Sequence, residues 1–377
     1  MKISSLPANR LQVDRPLGVA MWDFSWLERR WSGAGYEDWN VALDGLVERG
    51  YNAVRIDAYP HLIADDRDSG RTLTPCWTTE LWGSPHRVTV SPWPALTDFI
   101  RACVARGVRV ALSTWWREDA DRLAHRITGA EGLARVWGKT LELLEKEGLL
   151  DHLLYVDLSN EWPTTVWTPF YQPSAPATQE MWDAPEPMAL MREAIGRLRE
   201  RFPSLPFTFS TCTREDAWLS VEDVSFMDLA DHHLWMSSME FYRRVDYKFE
   251  VFSEEGYDKL KARARALYES DPVFWKNDLA RRIDTLAEGS SRTGIPLVNT
   301  EGWSLVTWKD GPGLEWDWLL DITEFAVRHV CSTGRYAAIC TSNFCGPQYV
   351  GMWREVAWHQ RMTAQIKSAA LEPELSR

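Results

Sequence analysis

The chain has 377 residues, 45% of them hydrophobic and 25% charged, and a formal net charge of −12. That composition supplies a large core and excludes a disordered chain, and the acidic balance argues against a nucleic-acid backbone or an anionic membrane as partner. The length exceeds the usual single-domain range, to which the α/β barrel is the main exception.

Residues 17–21 read as a first strand. Residues 36–49 are amphipathic, with Trp39, Ala42, Leu43, Leu46 and Val47 on one face, and Gly50 stops the helix. A second strand covers 52–57, a helix 94–106 closes at Gly107, and a third strand covers 108–113. A helix over 130–147 ends at Gly148, a fourth strand follows at 153–158, a helix at 187–201, and a fifth strand at 206–210. Residues 224–230 lead into a sixth strand that ends in Asp231-His232-His233-Leu234-Trp235. After a charged helical stretch from about 254 to 289 come a seventh strand at 295–300, a helix at 316–330, an eighth strand at 336–341 and a closing helix at 355–370.

Strands alternating with helices imply parallel pairing through right-handed crossovers. Eight such units predict a closed (β/α)8 TIM barrel, with 1–377 as a single catalytic domain. The doubly wound open sheet is less suitable, because no Gly-rich phosphate turn follows the first strand. Three connections are long, 59–92, 163–185 and 236–275, and each follows a strand, so each is placed on the catalytic face. The second is rich in aromatic residues, including Trp167, Phe170, Tyr171 and Trp182, and reads as a pocket wall.

Among the six cysteines no CxxC pair occurs, and Cys103, Cys212 and Cys340 read as small core residues rather than parts of a disulfide framework. Residues 1–13 hold no apolar leader and no run reaches membrane-spanning length, so a cytoplasmic location is expected. No cofactor is expected.

Glu161, in Leu158-Ser159-Asn160-Glu161-Trp162, and Glu301, in Val298-Asn299-Thr300-Glu301-Gly302-Trp303, each follow an apolar strand-like run. At the ends of strands four and seven they face one another across the barrel mouth. Two such carboxyl groups suit glycosidic bond cleavage, in which one protonates the leaving oxygen and the other attacks or stabilises the sugar carbon. A carbohydrate partner also suits the 22 tryptophans, although most of these serve as core. Trp162, Trp167, Trp303 and Trp308, next to the glutamates, are expected to face a ligand, and Trp22 and Asp23 end strand one. Arg55 on strand two has Asp23 or Asp57 as possible rim partners. The Asp231-His232-His233 run carries metal-ligand residue types, but no third ligand follows at helical or hairpin spacing, and no metal is expected.

Asn160-Glu161 on strand four, Glu301 on strand seven, Arg55 on strand two and His233 on strand six, in this order, resemble the glycoside hydrolase clan A barrels and, among them, the cellulase-like family 5 group. The resemblance covers about residues 17–360. It implies that Glu161 is the acid/base, Glu301 the nucleophile, Asn160 a partner of the sugar 2-hydroxyl, and Arg55 the partner of the nucleophile. An adjacent guanidinium is expected to lower the Glu301 pKa, and apolar surroundings that include Trp162 to raise that of Glu161. His233-Leu234-Trp235 fits the family's His-x-Tyr with Trp in place of Tyr, and His232, pointing the other way in a strand, is the alternate. Ser113-Thr114-Trp115-Trp116 stands where a strand-three His is usual, and Thr341-Ser342-Asn343-Phe344 where a strand-eight Trp is usual. Both departures touch the sugar pocket and leave the glycone open. The reading is a retaining, exo-acting hydrolase of a small β-glycoside or equivalent furanoside. A non-catalytic sugar-binding barrel and a metal-dependent barrel enzyme using His232 and His233 are the alternatives.

Overall fold

Short, largely buried runs form the parallel strands β1 (Leu17–Ala20), β2 (Ala53–Asp57), β3 (Arg109–Ser113), β4 (Leu153–Asp157), β5 (Phe207–Thr208), β6 (Ala230–Asp231), β7 (Leu297–Asn299) and β8 (Tyr336–Cys340). The structure is a computed structural model and describes residues 11–78, 81–174, 181–236, 239–248, 253–311 and 314–376. The strands hydrogen-bond in the order β5-β4-β3-β2-β1-β8-β7-β6, and a parallel bridge between Thr211 and His232 joins the two ends. The result is the predicted (β/α)8 barrel. Strands such as β4 (Leu-Leu-Tyr-Val-Asp) are buried on both faces, which is why they read as continuous apolar runs without alternation.

The outer helices are α1 (Trp39–Glu48), α2 (Pro92–Val104), α3 (Gly129–Lys146), α4 (Pro185–Arg201), α5 (Glu254–Ser270), α6 (Pro272–Thr293), α7 (Asp317–Ser332) and α8 (Val356–Ser368). In α3, Leu133, Val136, Trp137, Leu141 and Leu144 recur at helical spacing and are buried against the barrel. The first and third helices stop at glycines in the left-handed region, Gly50 at φ +84 and Gly148 at φ +69, where a side chain would be strained.

Three expectations need correction. The charged stretch over 254–289 is two helices, because Pro272 cannot continue α5, and the Asp271 carboxylate caps α6 through the Phe274 N–H. Strands five and six are shorter than predicted, and Leu234–Trp235 leaves the barrel to pair with Gly302–Trp303 at the mouth. Between β5 and β6 there is no α-helix, only a 3-10 turn at Glu215–Leu219.

The first long connection holds the helical turn Pro60–Ile63 and the hairpin Arg71–Leu73/Val88–Val90. Parts of the other two, 175–180, 237–238 and 249–252, lie outside the described residues, as do residues 1–10 of the amino-terminal segment. Among the described residues no helix is long and apolar enough to cross a membrane. None of the cysteines is in a disulfide.

Candidate active site

Arg55 is fully buried in the middle of β2. Nε donates to Asp23 Oδ1 at 2.9 Å, and one terminal nitrogen to Thr300 Oγ1 at 2.6 Å and His233 Nε2 at 3.1 Å. The other donates to Glu301 Oε1 at 2.7 Å and Asn160 Oδ1 at 3.1 Å. These contacts use all five N–H groups of the guanidinium fork. Asp231 Oδ2 and Asp157 Oδ2 lie at 3.6 and 3.9 Å. One cation is thus set among four buried carboxyl groups, so Arg55 takes Asp23 of its two suggested rim partners and the strand-seven glutamate as well.

A guanidinium has no acceptor, so His233 Nε2 must accept from Arg55, and the proton sits on Nδ1. Nδ1 then donates to Glu161 Oε1 at 3.0 Å, and it is 3.6 Å from Glu301 Oε1. Burial holds the His233 pKa down to about 3, with Asp231 opposing and Arg55 assisting, so the ring is neutral.

Glu161 sits in the left-handed region at φ +49, uncommon for a residue with a side chain, and its N–H is held by Ser210 Oγ at 3.0 Å. Ser210 in turn donates to Asp157 Oδ2 at 2.7 Å. The carboxyl receives His233 on Oε1, the Trp167 indole N–H on Oε2 at 2.6 Å, and a hydrogen bond from the Cys212 side chain. Burial raises the Glu161 pKa to about 7, against the pull of Trp167, Arg55 and Cys212. Glu301 is also pushed well above its ordinary value. Burial is the largest cause, and the nearby Glu161, Asp23 and Asp231 add to it, so Arg55 does not give the lowered value expected for this residue. One oxygen of Glu161, one of Glu301 and a nitrogen of His233 lie within 4.8 Å of one another.

The structure brings together Arg55, Asn160, Glu161, His233, Glu301 and Asp23, with Trp115 donating to Asp23 Oδ2 at 2.6 Å. Trp22 stacks 6.0 Å from Trp82, lies against Trp115, and donates to the Asn343 carbonyl. Trp235 is half-buried at the mouth, 6.0 Å from the His233 ring. His232 turns out of the site, as alternation along a strand requires, with Nδ1 on Thr211 Oγ1 at 2.8 Å. Trp303 is fully buried, donates to Cys340 O and packs on Tyr336 in the barrel wall, so it does not face the ligand position expected of it. Trp162 packs on Tyr171 and Phe209, and Trp308 on Trp318, both in the core. Of the four tryptophans placed beside the glutamates, only Trp167 donates its indole N–H to one.

Thr300, Asp157 and Cys212 were not anticipated as site residues, and Asp231 was considered only as a metal-ligand residue type. Asp157 and Thr300 stand next to the strand ends that had already been recognised. Cys212, read as core, is half-buried and lies two residues beyond Ser210 at the end of the predicted fifth strand, a position that could have revealed it. Glu161, His233 and Glu301 also form a metal-ligand set by type and distance. However, the Arg55 guanidinium contacts two of the three, which places a fixed positive charge where a cation would have to bind. A metal site built from His232 and His233 is contradicted by their opposite orientation.

A barrel with two acidic side chains facing each other at the carboxyl ends of β4 and β7 is of the glycoside hydrolase class. The chain belongs to the sugar-binding cellulase-like family, whose model matches residues 19–367. It is 41% identical to a protein from Parabacteroides distasonis crystallised as a candidate glycoside hydrolase, with 96% of each chain covered and a TM-score of 0.93. The fold is shared with a family 5 enzyme from Prevotella bryantii, crystallised with a xyloglucan tetradecasaccharide, at 11% identity and a TM-score of 0.55, covering 96% of this chain and 100% of that one. It is also shared with the tri-modular endo-β-1,4-glucanase B of Bacillus halodurans, at 13% identity and a TM-score of 0.55, covering 97% of this chain and 62% of that one. No curated protein sequence matches the chain.

Proposed function

We propose that the chain is a retaining hydrolase of small glycosides, with Glu301 as nucleophile and Glu161 as acid/base. The observation that carries this reading is the approach of one carboxyl oxygen of each glutamate to within 4.8 Å of the other, Glu301 on Arg55 and Glu161 on His233 and Trp167. Retaining enzymes hold the pair about 5–5.5 Å apart, and inverting ones leave about 6.5–9.5 Å for a water.

The two buried carboxyls titrate as a unit. Arg55 contacts Glu301 and not Glu161, so the negative charge belongs on Glu301 and the proton on Glu161. With Oε1 held by Arg55, Oε2 of Glu301 is left to attack the anomeric carbon. As that bond forms, the bond to the leaving oxygen breaks, and Glu161 supplies the proton. In the second half a water gives its proton to Glu161 and its oxygen to the anomeric carbon, and Glu301 is released. Asn160 Nδ2, buried without a partner beside Arg55, supports the role of sugar-hydroxyl donor. Glu161 is only 7% exposed and Glu301 only 2%, which favours a closed pocket and exo action on a short glycoside over an open cleft.

The test is Glu161→Gln on a series of aryl β-glycosides and α-L-furanosides of graded leaving-group pKa. Poor leaving groups should lose about 10²- to 10⁴-fold in kcat/KM, and good ones far less, because only the former need the proton. A uniform loss across the series would remove Glu161 from the acid role. In the parent protein, kcat/KM should fall as pH rises through about 7, where the acid form of Glu161 is lost. A profile flat from pH 6 to 9 would contradict that assignment.

A further inference from the structure

Both oxygens of Glu161 carry a donor in this structure, and His233 and Trp167 differ in how they are held. His233 is locked from behind by Arg55 and Thr300, all three buried in the barrel. Trp167 stands on the connection after β4, its backbone N–H in a turn to Thr164 O, and its ring rests edge-on against Trp77 at 4.3 Å and Trp115 at 4.8 Å. Since His233 N–H must point at Oε1, the proton that Glu161 delivers has to sit on Oε2, the oxygen covered by the Trp167 indole. An N–H that can only donate stabilises the ionised carboxylate and opposes its protonation. The resting contact therefore fits the half of the cycle in which Glu161 accepts a proton and conflicts with the half in which it gives one.

We propose that Trp167 is a positioning residue for the acid/base: its indole N–H caps Oε2 while Glu161 serves as base, and withdraws from Oε2 when the leaving group arrives to take the proton. The aromatic neighbours Trp77 and Trp115 provide surfaces along which the ring can slide without losing apolar contact. Cys212, from the connection after β5, also donates to the carboxyl and keeps it oriented when Trp167 leaves. The inference rests on the proposed acid/base role of Glu161.

The experiment compares Trp167→Phe, which keeps a ring and loses the N–H, with Trp167→His, which keeps a ring N–H, using aryl glycosides of good and poor leaving groups. Thermal unfolding of each variant in the same buffers establishes that it is folded. Losing a hydrogen bond to the carboxylate should move the alkaline limb of kcat/KM up by about one pH unit in Trp167→Phe. It should also lower kcat about tenfold on good leaving groups, with KM falling in step, because the proton-accepting half becomes limiting. Trp167→His should return the limb towards the parent position. An unmoved limb, or a loss of kcat/KM uniform across pH and leaving group, would overturn the proposal and leave Trp167 as packing. Full activity in Glu161→Gln on poor leaving groups would instead remove the acid/base reading on which the proposal stands.

Discussion

Glu301→Gln is expected to lower kcat on every glycoside by about three orders of magnitude or more, whatever the leaving group, because the covalent step itself is lost. The amide keeps the shape of the side chain and can still accept from Arg55 at the Oε1 position, so the fold and sugar binding should persist. The expected signature is therefore a collapsed kcat with a near-normal dissociation constant, read by kinetics and by calorimetric titration with the intact glycoside. Turnover within tenfold of the parent would move the chemistry away from this residue. Loss of both binding and thermal stability would leave it a structural role in the Arg55 network. A stronger contrast with Glu161→Gln follows from the two roles. The acid/base variant discriminates among leaving groups, and the nucleophile variant does not.

The largest effect on stability is expected at Arg55. Replacing it with Met leaves Asp23, Glu301, Asp231 and Asp157 buried without their shared cation, and removes donors from Thr300, His233 and Asn160. Breaking a buried ion pair from one side costs about 3–5 kcal/mol, and a carboxyl group left behind must take up a proton or draw in water. Arg55→Met should thus lose about that much in denaturant unfolding, and the remaining acids should make the loss larger at pH 8 than at pH 5. Arg55→Lys should restore little, since a single ammonium cannot reach five partners held in the planar fork. An unfolding midpoint equal to the parent's at both pH values would show that the network does not depend on the guanidinium.

The barrel was legible because its strands are buried on both faces and several of its helices end at glycines, so period and punctuation agree along the chain. The two glutamates, Asn160, Arg55 and His233 were legible because positions on the strands and at their ends converge in a closed barrel whatever the loops do. The rest depends on which way a side chain turns after the strand stops. Trp162 and Trp167 stand five residues apart in one aromatic segment, and the backbone sends the first into the core and the second onto the carboxyl. Trp303 follows Glu301 by two residues, yet lies in the barrel wall. The raised pKa of Glu301 was missed for a different reason. A single Arg-Glu pairing can be read from sequence, whereas the burial of Glu301 and the crowding of Glu161, Asp23 and Asp231 around it from three other strands cannot.

The proposed nucleophile and the proposed acid/base are held by different kinds of scaffold. Glu301 is fixed by Arg55, which is itself gripped by residues at the ends of strands, so any change there disturbs charge balance and folding together. Two of the three side chains on Glu161, Trp167 and Cys212, come from connections where substitution, insertion and altered length are tolerated. Variation in related chains should therefore accumulate around the proton donor. The working pH and the accepted leaving group can drift by loop replacement while the charged half of the site stays as it is. An engineer seeking a shifted pH optimum would accordingly begin at 163–171 and 212–214, and would leave the floor of the barrel untouched.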